Sequence, residues 1–221
     1  MRSPTLRLRA RGSLACFTRP ELKVERVSYS VMTPSAARGL LEAVLWKPAI
    51  QWHIERIHVL NEIKFTAFRR NEVNAKASRP SEKLVTNGGA APIYFADEDR
   101  AQRNTVALRD VDYVIDAHFT LTKKAGPDDN LTKFGEMFQR RVEKGQHFHQ
   151  PYFGCREFVA EVLPPDNTPP SIPENTDLGL MLWDIVYGKD RNTPTFFAAR
   201  LENGILEVPD DPESTLERGA A

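Results

Sequence analysis

The chain has 221 residues, of which 41% are hydrophobic and 27% charged, enough apolar material to bury a core. No stretch reaches the roughly 18 consecutive apolar residues of a membrane helix, and no apolar run follows the basic start at Arg2, Arg7, Arg9 and Arg11, which argues against a signal peptide and for a cytoplasmic protein. Formal net charge is zero, yet residues 1–47 carry nine Lys/Arg against three Asp/Glu, and residues 157–221 carry four against thirteen. That asymmetry fits a basic face for phosphate beside an acidic, solvated C-terminal part, or equally charges that intermix on the folded surface.

The first clear element is a helix. Thr33 caps it, Pro34 suits its first position, Pro48 ends it, and Leu40, Leu41, Val44 and Leu45 recur on one face. A strand is expected next, with Ile57, Val59, Ile63 and Phe65 on one side and His58 and Lys64 on the other. From about 70 to 109 apolar periodicity fades around Gly88-Gly89, and the segment reads as a long excursion or mobile hairpin. Val111 to Thr122 is the strongest strand: Val111, Tyr113, Ile115, Ala117, Phe119 and Leu121 share one face, and Asp112, Asp116, His118 and Thr120 the other.

A second helix follows Gly126-Pro127, with Leu131, Phe134, Phe138 and Val142 inward and Gly145 at its end. After a turn-rich stretch from Pro164 to Pro173, strands are expected at Leu178 to Tyr187, Thr195 to Leu201 and Ile205 to Val208, the last two joined at Asn203-Gly204. The class is therefore α+β. Residues 1–150 suit a ferredoxin-like or RRM-like domain, 151–209 a small antiparallel β-sheet domain, and 210–221 a disordered acidic tail.

Phosphate-loop, zincin, nucleophile-elbow and dinucleotide-binding signatures are absent, as are clustered carboxylates for two magnesium ions. Two cysteines, Cys16 and Cys155, fall short of a four-cysteine zinc site and read as reduced thiols. No cofactor and no metal is expected. An enzyme built from these residues would use metal-independent acid–base chemistry, with histidine as its usual agent near neutral pH.

Several short runs occur in a telling order. Ala15-Cys16-Phe17-Thr18-Arg19-Pro20-Glu21 leads into Lys23-Val24-Glu25-Arg26-Val27-Ser28-Tyr29 and Thr33-Pro34-Ser35-Ala36-Ala37-Arg38-Gly39. Trp46-Lys47-Pro48, Ile57-His58-Val59-Leu60, Arg70-Asn71-Glu72-Val73, Asp112-Tyr113-Val114, Ala117-His118-Phe119 and Gly154-Cys155-Arg156-Glu157-Phe158 follow. From about residue 5 to about residue 208 the chain resembles the CRISPR-associated Cas five family, subtype d.

The resemblance implies an RRM-like domain with a small C-terminal sheet that binds the hairpin of the CRISPR repeat. It implies cleavage of the precursor RNA at the hairpin base without metal. It further implies retention on the 5′ handle of the mature RNA within the type I-C surveillance complex (Cascade), beside backbone and large subunits. Duplex DNA binding is a further family trait, and a non-catalytic RNA-binding scaffold is the alternative reading. Cleavage by the 2′-hydroxyl needs a base, an acid and a cation.

His118 matches the family's strand histidine and is expected to act on the exposed strand face. Lys47 and Lys123 (or Lys124) are expected at the phosphate. The family's tyrosine before Trp-Lys-Pro is Leu45 here, its strand lysine is missing, and Arg11-Gly12-Ser13-Leu14 replaces its aromatic-Gly-Asp-Tyr run. Arg19, Lys23, Arg26, Arg38, Arg69 and Arg70 are expected to contact RNA phosphates. His147 and His149 flank Phe148 in a segment that either touches RNA or has no role, and Arg156 and Glu157 are expected to pair.

Overall fold

The computed structural model describes residues 2–22, 24–75, 78–89, 93, 95–188 and 192–216. Strand β1 (Leu6–Ala15) begins it, with Leu6, Leu8 and Ala10 buried and Arg7, Arg9 and Arg11 between them on the other face. After the short β2 (Arg26–Val27) comes α1 (Pro34–Val44). Thr33 caps α1, its Oγ1 accepting from Ala36 N at 3.3 Å, with Pro34 in the first turn. Ala37, Leu40, Leu41 and Val44 form the buried face of this helix.

Strand β3 (Ile50–Val59) and strand β4 (Phe65–Val73) both pair with the 22-residue β5 (Arg100–Leu121). They lie end to end along one side of β5, and β1 runs along its other side. Helix α2 (Glu82–Thr86) lies between β4 and β5. Helix α3 (Leu131–Glu143) is capped by Asn130, whose Oδ1 accepts from Lys133 N at 2.8 Å. Its Phe134 and Phe138 pack edge-on and tilted against Phe119 and Trp52 of the sheet. Both helices thus cover the face that bears Trp52, Ile57, Ile115 and Phe119.

Strands β6 (Glu161–Leu163), β7 (Thr176–Tyr187), β8 (Asn192–Glu202) and β9 (Ile205–Glu207) complete one sheet in the order β6-β1-β5-β3-β9-β8-β7. It is antiparallel except for the short β2–β5 pairing. The sheet curls into a half-barrel, since β7 at its far end returns to touch α1, which also packs on β3. The β8–β9 turn matches the sequence signal: Asn203 and Gly204 have φ of 50° and 73°, as a two-residue hairpin turn requires. A short α4 (Glu213–Leu216) ends the described chain. No described helix is long and apolar enough to cross a membrane.

Three expectations are corrected. The strand expected over Ile57 to Phe65 is two strands, because the chain leaves β5 after Val59 and rejoins it at Phe65, around Asp110 at φ 54°. Of the two readings of 70–109, the structure has the hairpin, with β4 and β5 paired from Val73 and Arg100 to Phe65 and Leu108. Residues 151–209 do not form a separate sheet: β6 pairs with β1 and β9 with β3. Of the tail, α4 rests on β8, where Ala198 N donates to Thr215 Oγ1 at 3.0 Å, and residues 217–221 lie outside the described residues.

Candidate functional site

The sheet face opposite the helices holds His118 among a set of charged residues already bonded to one another. Asp116 is fully buried, with Arg7 Nε at 2.6 Å, His58 Nε2 at 3.0 Å and Arg56 Nε at 3.2 Å. Burial alone raises a carboxyl pKa, but the hydrogen bonds from His58 and Arg7 outweigh it and hold Asp116 well below the usual range. Arg9 forms a two-pronged pair with Asp112 at 2.6 and 3.0 Å.

His118 lies on this face beside Asp116, but it is not exposed. Its side chain keeps 8% of its accessible surface, and its Nδ1 lies 2.7 Å from Glu55 Oε1. Its ring stacks on His53 with centroids 5.0 Å apart and planes 13° apart. Burial, and then the neighbouring His118, push the His53 pKa down. The expectation of a solvent-facing His118 is corrected: cross-strand neighbours on β3 cover it.

Lys47 and Lys123 come together elsewhere, at the end of the sheet. Thr122 Oγ1 donates to Pro48 O at 2.6 Å and Thr122 N to Ala49 O at 2.9 Å, which joins the α1–β3 loop to the end of β5. His118 is about 10 Å back along β5 from Leu121 at ~3.3 Å per residue, and it faces away from the helices. One compact site of His118, Lys47 and Lys123 is not formed. Leu45 is fully buried, so this position brings no polar group to that end.

What stands beside Lys47 is a row of aromatic rings. A helix leaves its last carbonyls unpaired, and several at the end of α1 are taken up by other segments. Ala43 O accepts from Phe148 N at 2.7 Å, Val44 O from Arg141 Nη1 at 2.6 Å and Leu45 O from Trp52 Nε1 at 3.0 Å. These bonds clamp the segment after α3 onto the end of α1. Trp46, 50% exposed, then stacks on Phe148, 62% exposed, with centroids 6.2 Å apart. Phe148 touches His149 and His149 touches Tyr152, at 5.9 and 6.5 Å. His147 and His149 are exposed, whereas His53 and His58 are half-buried and His118 buried. The sequence signal for this surface was slight: aromatic and histidine residues outside any periodic element.

Most of the expected phosphate-binding arginines have partners within the chain. Arg38 joins Asp184 of β7 through both carboxylate oxygens, one at 2.8 Å, and has Glu42 at 3.7 Å. Arg26 contacts Glu72 at 3.2 Å and donates to Cys155 Sγ at 3.1 Å. Arg70 pairs with Glu72 at 2.9 Å and with Glu157, which therefore does not pair with Arg156. Arg19 sits over the Tyr29 ring at 4.6 Å, with Glu21 at 3.8 Å. Arg26, Arg38 and Arg70 are thus each engaged by carboxylates of the chain itself. Arg69 is exposed on β4, and Lys23 lies outside the described residues.

Comparison with known proteins places this arrangement. The family model described as CRISPR-associated protein (Cas_Cas5) matches residues 5–209. A protein of Mannheimia succiniciproducens, named CRISPR pre-crRNA endoribonuclease Cas5d, is 50% identical over 213 residues, covering 92% of this chain and 94% of its own. A protein of the same name from Thermus thermophilus is 41% identical over 231 residues, covering 96% and 95%. The fold is similar to a crystal structure of a CRISPR-associated protein, with a TM-score of 0.70 at 22% identity over 97% of this chain and 96% of that one. With its matched motifs spread from β1 to β9, the chain belongs to the Cas5d family of CRISPR-associated proteins.

Proposed function

We propose that this chain is an endoribonuclease that cuts CRISPR precursor RNA in the repeat and stays bound to the 5′ handle as a subunit of the type I-C surveillance complex. The observation that carries this reading is identity of 50% and 41%, over more than nine-tenths of the chain, to two proteins named for that activity. An RRM-like reading accords with it for a unit that runs on to β6 at Glu161–Leu163 rather than ending at residue 150. Taken in chain order, β1, α1, β3, β5, α3 and β6 make the β-α-β-β-α-β sequence, and they lie in the sheet as β6-β1-β5-β3. A cytoplasmic location, where CRISPR transcripts are made, goes with the same reading.

The proposed reaction needs no metal. The ribose 2′-oxygen attacks the adjacent phosphorus as a base takes its proton, and the bond to the 5′-oxygen breaks as an acid protonates it. The products are a 2′,3′-cyclic phosphate and a 5′-hydroxyl. Lys47 and Lys123 offer charge for the phosphorane at the end of the sheet, and His147 and His149 offer exposed imidazoles on the neighbouring segment. Arg69 remains a proposed phosphate contact. A second reading keeps His118 as the acid–base group. It is favoured by the Glu55 carboxylate 2.7 Å from Nδ1, the arrangement that orients a catalytic imidazole in many hydrolases.

The test is incubation with the cognate repeat RNA in EDTA, comparing wild type, His118→Ala and the His147→Ala/His149→Ala pair. Cleavage by wild type that a 2′-deoxy substitution at the scissile nucleotide abolishes is the expected result. RNA binding without cleavage would leave a scaffold subunit instead.

A further inference from the structure

Beyond the end of the Trp46–Phe148 row the surface opens into a recess of about 330 Å³, lined by His149, Gln150, Tyr152 and Arg156. That volume is in the range of about 300–1,000 Å³ typical of small-ligand pockets. The rings of His149 and Tyr152 lie within 28° of parallel, with centroids 6.5 Å apart. Each ring offers an aromatic face at the recess on which a base can stack.

We propose that this recess binds one unpaired RNA nucleotide, its base stacked on Tyr152 and His149 and its phosphate met by Arg156, with Phe148 and Trp46 extending the stack. The proposal rests on the RNA-processing reading and adds to it where a single-stranded nucleotide is held. Three observations select a nucleotide over an apolar protein segment. The recess is lined by an amide and a guanidinium besides its two rings. A cation, the half-buried Lys47, follows Trp46 in the chain. The backbone beneath is fixed, since Phe148 N and His149 N both donate to Ala43 O, so the rings need little ordering on binding. Arg156 is exposed, unlike Arg26, Arg38 and Arg70, which carboxylates of the chain engage.

The experiment measures binding of the full chain to repeat-hairpin RNA with ordinary single-stranded flanks and to the same RNA with abasic flanks. Wild type is expected to prefer the base-bearing RNA by about 10-fold, the scale of one or two stacked bases. Tyr152→Ala and Arg156→Gln should each weaken binding of the base-bearing RNA. Tyr152→Ala should also erase the preference over the abasic form, whereas Tyr152→Phe keeps it. Trp46 emission, isolated by subtracting the Trp46→Phe variant, should fall with base-bearing RNA and not with abasic RNA.

Equal affinity for the two RNAs in wild type, or a preference that survives Tyr152→Ala, overturns the proposal while leaving hairpin binding and cleavage in place. Failure of wild type to bind either RNA sinks the processing reading and this inference with it. A Trp46 response to the other subunits of the complex but not to RNA would make the row a protein interface and would also overturn it.

Discussion

Glu55 Oε1 lies 2.7 Å from His118 Nδ1 because β3 carries one extra residue there: Ile54 pairs with Ala117 and Arg56 with Asp116, leaving Glu55 as a bulge. Bulges re-aim side chains, and this one turns a carboxylate onto the face that holds His118. Thr5 Oγ1 donates to the second oxygen at 2.9 Å and fixes it. Glu55→Ala should therefore cost about 1–2 kcal/mol in urea unfolding, the scale of a hydrogen bond to a charged group. RNA cleavage should persist if His118 is structural and fall steeply if it is the acid–base group.

Asp116 should control acid stability. Its folded pKa lies below the ordinary carboxylate value, so its contribution is complete above about pH 4 and is lost as pH falls through the folded value. Asp116→Asn should lower stability at pH 7 by about 2 kcal/mol and flatten the acid limb of the stability–pH curve. Denaturant titrations at pH 3, 5 and 7 check both. An unchanged acid limb in the variant would remove Asp116 from this role.

His53 should titrate below the usual histidine value of about 6.5, because burial and the adjacent His118 both disfavour its charged form. A base with a depressed folded pKa binds fewer protons folded than unfolded, so this contribution to stability is lost as pH falls below about 6.5. Ring proton shifts followed by NMR between pH 4 and 8 give its midpoint, and His118→Ala should move that midpoint upward.

Gly154 should tolerate no side chain. Its φ is +77° and an added Cβ would fall 2.0 Å from Cys16 O, on the backbone that Cys16 N and Phe153 O tie to β1. Gly154→Ala should cost about 3 kcal/mol or more, since the left-handed backbone strain alone is about 1–3. Thermal melting reads this directly, and Gly135→Ala, where nothing lies within 4 Å, is the matched control.

Helices α1 and α3 were legible because their signals are local: Thr33 and Pro34 open α1, and Gly145 closes α3. Strand β1 was not, because its outward positions are Arg7, Arg9 and Arg11, which read as a basic terminus until Asp116, Asp112 and Glu161 are seen to meet them. The β4–β5 arm was legible only as an excursion or hairpin without strand positions, since Phe65 to Val73 pairs only with β5 and has no buried residue, so no apolar period marks it. The ion pairs of the arginines were hidden for a related reason. Arg38 and Asp184 are 146 residues apart, and Arg70 and Glu157 are 87 apart, so nothing local shows that these charges are already spent. The aromatic row was hidden because Trp46 and Phe148 belong to two segments that only the α1 carbonyls bring together.

The most direct test of RNA cutting at the Lys47 end of the sheet is single-turnover cleavage of the cognate repeat RNA in EDTA, measured for wild type, Lys47→Ala, His147→Ala/His149→Ala and His118→Ala. The account predicts cleavage by wild type to a 2′,3′-cyclic phosphate, a loss of about 10²–10⁴-fold when the acid–base pair is removed, and a much smaller loss for His118→Ala. Full activity in both the Lys47→Ala and His147→Ala/His149→Ala variants, with cleavage abolished only in His118→Ala, would contradict it.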